Sequence, residues 1–321
     1  MKQFKTFFVK FITYIFAVLF AGSLAANAEI KVVTTIKPLH SLISNVMDGV
    51  GEPSLIIEGS TSPHSFVLKP SHAKMIEQAD IIFWIGEDIE TFMEKPLESI
   101  AKNAKKISFM ELTSIEKLKF REENIFDHDD HDDHGHGEKK DHDDHGDGHE
   151  GHHHGEFDAH IWLDPANAKE MLHEIAHELA DLDPSNASKY ESNADQAIMS
   201  IDKMIKEIDG NINKDAKFIV FHDAYQYFEK RFGVMTAGAL TLNTDVLPGA
   251  KQISEIQEVI AERDIKCIFS EPQFNPKIIE TIAKDTGINT GVLDPLGSIF
   301  DANKMQYFKL INDLGNKLKD C

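Results

Sequence analysis

The sequence predicts an α/β fold of two lobes, each with a mainly parallel sheet flanked by helices, joined by one long linker helix. Three observations predict it. Short apolar runs alternate with helical patterns in both halves of the chain, as expected of parallel sheets covered by helices. The 293 residues that follow an N-terminal leader exceed what one hydrophobic core usually serves. Between the halves lies a stretch of unbroken helical spacing.

The leader is residues 1–28. Lys2, Lys5 and Lys10 give it a positive start, Phe11 to Ala21 an apolar core, and Ala26-Asn27-Ala28 an A-x-A cleavage site, so Glu29 is the expected mature N-terminus. The alternative is an uncleaved anchor, but the apolar run is shorter than the ~20 residues a span needs. No cysteine lies near the cleavage site, which leaves no lipid attachment of that kind and predicts a chain free in the periplasm. Loss of the leader takes the formal net charge from −21 to −24 and argues against nucleic acid as a partner.

In the first lobe, 29–184, Ile30–Ile36, Ser54–Glu58, Ile81–Ile85 and Lys106–Met110 read as strands, most of them followed by helical stretches. Asp183-Pro184-Ser185-Asn186 is a helix start, and Tyr190, Ala194, Ile198, Ile201, Ile205 and Ile208 carry one helical stripe through the linker, 185–209. The second lobe, 210–321, repeats the alternation. Strands are expected at Lys217–Phe221, Val234–Ala239, Lys266–Ser270 and Thr290–Leu293, and helices at Lys251–Glu262, Pro276–Asp285 and Ala302–Leu318.

Asp127 to His154 breaks the pattern. It holds ten His and eleven Asp or Glu, with two Lys and no aromatic or aliphatic residue, so it cannot bury a core and is expected to be disordered. A solvated acidic loop would explain the charge but not the histidines; imidazoles beside carboxylates in an exported chain read as a metal-collecting tract. Ordering so floppy a segment around an ion costs conformational entropy, so one rigid site has to come from elsewhere.

Two cysteines are present, Cys267 and Cys321. In an oxidising compartment they read as one disulfide, the alternative being two free thiols.

Three histidines outside the tract stand in similar surroundings. His64 lies in Ser62-Pro63-His64-Ser65-Phe66 after a predicted strand, His160 in Asp158-Ala159-His160-Ile161-Trp162-Leu163-Asp164-Pro165, and His222 follows Phe218-Ile219-Val220-Phe221. Ligands of open α/β sheets bind beyond the carboxyl ends of strands, and clefts between domains are favoured sites. Asp294, after Thr290–Leu293, brings a carboxylate to the same edge. Three imidazoles with one oxygen, from Asp294 or water, suit tetrahedral Zn²⁺, though each histidine taken singly reads equally well as a satisfied loop residue.

The motifs add a family. Ile36-Lys37-Pro38-Leu39-His40, Ser62-Pro63-His64, Asp158 to Pro165, Phe221-His222-Asp223-Ala224-Tyr225, Ser270-Glu271-Pro272-Gln273-Phe274 and Leu293-Asp294-Pro295-Leu296-Gly297 follow one another from Val32 to Cys321. In this the chain resembles the zinc-binding component of the bacterial high-affinity zinc ABC importer, the ZnuA type among cluster A-I solute-binding proteins. The resemblance implies that His64, His160 and His222 are the zinc ligands and that Zn²⁺ is the transported ligand. The implied partners are a membrane permease and its cytoplasmic ATPase, met by a monomeric receptor. Manganese relatives have a carboxylate in place of His222, and a nitrogen-rich site suits zinc. Pro63 departs from members with glutamate beside the first histidine, which leaves the fourth ligand open between Asp294 and water. The family's C-terminal cysteine pairing favours the Cys267–Cys321 disulfide.

Other histidines take plainer readings. His40 and His72 are expected to be structural or exposed. His173-Glu174-Ile175-Ala176-His177 matches the H-E-x-x-H of metalloproteases, but Ala168, Leu172, Ile175 and Leu179 form the apolar face of that helix and both histidines point away from it. Three functions remain to compare: a zinc storage or buffering protein, a zinc metalloprotease and an uptake receptor. Storage needs only the tract, and a zinc enzyme needs a general acid or base beside an open coordination position, which the sequence does not mark. An uptake receptor that is not an enzyme explains export, two lobes, interlobe ligands and the tract together.

Overall fold

The computed structural model describes residues 30–125, 155–242, 244, 248–319 and 321. The expected leader and the acidic histidine tract lie outside the described residues. The first sheet holds β1 (Val32–Thr34), β2 (Ser54–Leu55), β3 (Ile81–Trp84) and β4 (Lys105–Ser108), all parallel, in the order β2-β1-β3-β4. The second holds β5 (Phe218–His222), β6 (Ala239–Thr241), β7 (Cys267–Ser270) and β8 (Asn289–Val292), also parallel, in the order β6-β5-β7-β8. The two-lobe α/β expectation is borne out, and each sheet steps outward on one side of its first strand before crossing to the other. That crossing creates a switch point at the carboxyl ends of β5 and β7, where doubly wound sheets bind ligands.

Six of the eight strands are shorter than the runs that predict them, β5 and β8 keep the expected length but shift by one residue, and β6 starts later, at Ala239 rather than Val234. Val234 to Gly238 serve the preceding helix and β5 instead. Val234 N–H donates to Glu229 O, Thr236 Oγ1 donates to Phe218 O at 3.1 Å, and Ala237 N–H donates to the same carbonyl at 2.8 Å.

Helices α1 (Lys37–Val46), α2 (Pro70–Glu77), α3 (Glu94–Ser99) and α4 (Pro165–Leu182) accompany the first sheet. The stretch expected as the linker forms α5 (Ala187–Asp209), 23 residues, whose buried Tyr190, Ala194, Ala197, Ile201, Met204 and Ile208 repeat at three- and four-residue steps. Helices α6 (Gln226–Phe232), α7 (Ala250–Glu262) and α8 (Lys277–Thr286) accompany the second sheet. The last helix, α9 (Gln306–Lys317), instead crosses to pack on α1 and α5. Its Tyr307 N–H donates to Ser41 Oγ at 3.0 Å, and Gly315 lets it close on Ile208, which a Cβ would meet at 3.0 Å. One core therefore runs from Val32 in β1 through α4 and α5 to Leu318, with a smaller one between β5, β7, α7 and α8.

Cys267 and Cys321 are joined across 54 residues, pinning the chain end to β7. Reduction is expected to lower the unfolding free energy by about 2–4 kcal/mol through the loop-closure entropy returned to the unfolded chain. Urea unfolding with and without reductant measures this, and an unchanged midpoint would show that packing of α9 alone holds the C-terminus.

Candidate metal centre

His222 is the last residue of β5, and the parallel register decides its neighbour. Phe218 pairs with Cys267 and Ile219 with Ile268, and the same offset of 49 residues sets His222 against Glu271, just past β7. His222 Nδ1 donates to Glu271 Oε1 at 2.7 Å. His160 has the same arrangement from a local turn: its N–H donates to Asp158 Oδ1 at 2.9 Å and its Nδ1 to the same oxygen at 2.6 Å. A carboxylate only accepts, so each pairing puts the ring proton on Nδ1 and leaves the Nε2 lone pair free. His64 sits on a short 3₁₀ turn, Pro63–Ser65, started by Pro63 and capped by Ser62, whose Oγ accepts from His64 N–H at 3.3 Å. Of the three, His64 is half-buried, whereas His160 and His222 are buried.

The three Nε2 atoms converge. Two ligands on tetrahedral zinc, each about 2.0–2.1 Å from the metal, lie about 3.3–3.4 Å apart. His160 Nε2 lies 3.4 Å from His64 Nε2 and 3.3 Å from His222 Nε2. Among the described residues, these three form the one group of His, Cys, Asp or Glu whose ligand atoms all lie within 4.8 Å of one another. The cavity they line with Trp162, Glu271, Gln273 and Phe274 has a volume of about 10 Å³, room for one water-sized particle. A larger cavity of about 810 Å³, lined by Arg121, Lys214, Lys217 and Arg263 among others, contains none of these histidines.

Buried acids surround the cluster. Asp158, Asp223, Glu271 and Asp294 are all buried, a field that favours a cation. Burial pushes the Asp223 carboxyl up to about 6 against the pull of Arg121, which donates to it at 2.6 Å and to Glu229 at 2.8 Å. Burial lowers the His222 imidazole, but Glu271, Asp223 and Asp158 together hold it above its ordinary value. Contacts across the cleft fix these elements relative to one another. Arg231 of α6 donates to both oxygens of Asp164 at the start of α4, at 2.6 and 2.7 Å, and Trp162 Nε1 donates to Pro295 O at 2.8 Å.

Asp294 is buried nearby but outside the 4.8 Å group. Its Oδ1 accepts from Gln273 Nε2 at 2.7 Å and Leu296 N–H at 3.1 Å, and its Oδ2 from Ser298 N–H at 2.5 Å and Ser298 Oγ at 2.6 Å. His40 is buried against Pro53 O and Ser44 Oγ, and His72 accepts from Lys69 N–H at the start of α2. His173 and His177 are exposed on α4, and His177 Nε2 lies 3.9 Å from Asp181.

The sequence reading assigned no role to Asp158, Glu271 or Gln273. Asp158 was detectable from its spacing, an acid two residues before a ligand, which is the reach of a side-chain turn. Glu271 was not, because nothing local reveals which strand neighbours β5.

Two parallel α/β sheets with imidazoles converging at the strand ends between them define a metal-binding solute-binding protein. The family described as "Zinc-uptake complex component A periplasmic" matches residues 32–321. The chain is 44% identical over 315 residues to the high-affinity zinc uptake system protein ZnuA of Brucella abortus (strain 2308), covering 94% of each chain. It is 35% identical over 318 residues to the protein of the same name from Yersinia pestis, covering 95% of this chain and 96% of that one. A crystal structure of ZnuA shares the fold at a TM-score of 0.72 and 22% identity, over 90% of this chain and 99% of that one. The chain belongs to the ZnuA family of zinc-uptake components, as its motifs suggested.

Proposed function

We propose that this protein is a periplasmic receptor that holds Zn²⁺ between His64, His160 and His222 and delivers it to an ABC importer. The observation that carries the reading is the convergence of three imidazoles, with His160 Nε2 at zinc-like separations from the other two Nε2 atoms and two of the rings fixed by carboxylates on the opposite nitrogen. Such carboxylate–histidine pairs orient ligands and raise their basicity. A nitrogen-rich set favours zinc over manganese, and relatives covering nearly the same length are named for zinc uptake.

The chain acts as a monomer without enzymatic activity, mature from Glu29, and meets a membrane permease whose partner is a cytoplasmic ATPase. In a zinc protease the metal keeps an open position beside a general base, whereas here the carboxylates nearest the rings are engaged by Nδ1.

Deleting Asp127 to His154 tests the reading against storage. All three proposed ligands lie outside that segment, and shortening a loop costs little closure entropy. Isothermal titration is expected to show one tight site retained and a set of weaker sites lost. If the tightest event vanished while the circular dichroism spectrum held, the tract would be the main site and the transport reading would fall.

A further inference from the structure

We propose that Gln273 serves the fourth position of the metal site through Oε1, and that Asp294, beyond its share of the acidic field, acts there by holding the Gln273 amide rather than as a ligand. The proposal rests on the three-histidine reading above. It starts from the hydrogen-bond capacity of Asp294. A carboxylate oxygen accepts about two strong bonds. Both oxygens of Asp294 already have two donors, from Gln273 and Leu296 on one side and from Ser298 twice on the other. To ligate a metal, Asp294 would have to release donors that fix the turn after β8.

The same bonds set the orientation of Gln273. A carboxylate repels a carbonyl oxygen and attracts an amide N–H, so the Gln273 group facing Asp294 at 2.7 Å has to be Nε2. Oε1 is then the other arm of the amide. It is buried and without a hydrogen-bond partner, in a side chain that lines the cavity between His64, His160 and His222. A buried carbonyl left unpaired is destabilising, because it gives up its bonds to water without gaining another. A cation in that cavity, or a water bound to it, satisfies the oxygen and removes the cost. Two other buried atoms here lack a hydrogen-bond partner, Glu271 Oε2 and the Tyr225 hydroxyl, but that hydroxyl lies beside Glu271, whose charge raises its pKa after burial has done so. Gln273 Oε1 is left as the acceptor with no such neighbour.

Three imidazoles and a neutral amide oxygen would also leave the bound ion its full double charge. That suits a receptor that has to release its metal better than a charged fourth ligand would.

The test is a double-mutant cycle on the full chain, with Zn²⁺ affinity from chelator competition and coordination geometry from the visible spectrum of Co²⁺. Metal is kept below one equivalent so that the tightest site fills first. Gln273→Met keeps length and apolar bulk but removes the oxygen. It is expected to weaken Zn²⁺ binding about 10- to 100-fold, the range for groups that tune a metal shell, and to change the Co²⁺ bands. Asp294→Asn is expected to cost clearly less in the Gln273→Met background than alone, because part of its effect runs through the Gln273 amide.

Wild-type affinity and spectrum in Gln273→Met would overturn the proposal, as would a full, additive loss from Asp294→Asn in the double variant. His222→Ala separates this from the parent reading. If that variant loses the metal while Gln273→Met does not, only the role of Gln273 falls; if it keeps the metal, the three-histidine site itself falls.

Discussion

Replacing His222 by Ala is expected to weaken Zn²⁺ binding by more than about a hundredfold, since merely disturbing groups behind a metal ligand costs 10- to 100-fold. The substitution removes one of three nitrogen donors and leaves no side chain to take its place. His160→Ala is expected to match it, because His160 is equally buried and its Nε2 lies within 3.4 Å of both others. His64→Ala is expected to cost less, since the half-buried 3₁₀ turn lets water reach the vacated position. Each substitution also changes the fold's own balance. Without His222, Glu271 loses its Nδ1 donor in the interior, at about 1–3 kcal/mol. Thermal unfolding of the apo protein therefore has to accompany chelator competition. Near-native affinity in a folded His222→Ala variant would remove the ligand assignment.

Acid is expected to release the metal. Zinc takes neutral imidazole, so each proposed ligand that holds a proton has to lose it before binding, and unperturbed histidine titrates near pH 6.5. The His222 ring is held above its ordinary value, its burial outweighed by Glu271, Asp223 and Asp158. The sign follows directly: a raised value favours the protonated ring, so affinity is complete above that value and falls as pH drops through it. The decline should begin on the alkaline side of about pH 6.5 and steepen below it, as up to three protons compete for one ion. Affinity measured by competition from pH 8 to pH 5 checks this. A flat profile from about pH 7 to pH 5 is incompatible with three imidazole ligands.

Much of the fold was legible. The alternation of apolar runs and helical stripes marks seven of the eight strands closely, and the long helix follows its stripe from Tyr190 to Ile208, with Ala197 and Met204 more buried than Ile198 and Ile205. β6 starts later than its apolar run because Val234, Thr236 and Ala237 spend their hydrogen bonds on Phe218 and the end of α6. Apolar character marks burial and does not by itself mark a ladder. The crossing of α9 onto α1 and α5 left no local trace, since an amphipathic helix states that it has a partner and not which one.

Residue chemistry and local periodicity are readable along the chain: an α/β alternation, a histidine-rich acidic tract, and three histidines set in family motifs. Tertiary structure decided which of these groups meet. The ring nitrogens that converge come from positions 62 and 96 residues apart. Glu271 reaches His222 because two parallel strands pair at one particular offset. Asp294, which the sequence places beside the ligands, has its oxygens taken by Ser298, Leu296 and Gln273. The physical reason is range: periodicity and spacing act over one turn or one strand, whereas a coordination shell depends on how several such elements pack, which strand register and side-chain hydrogen bonds settle only once the chain has folded.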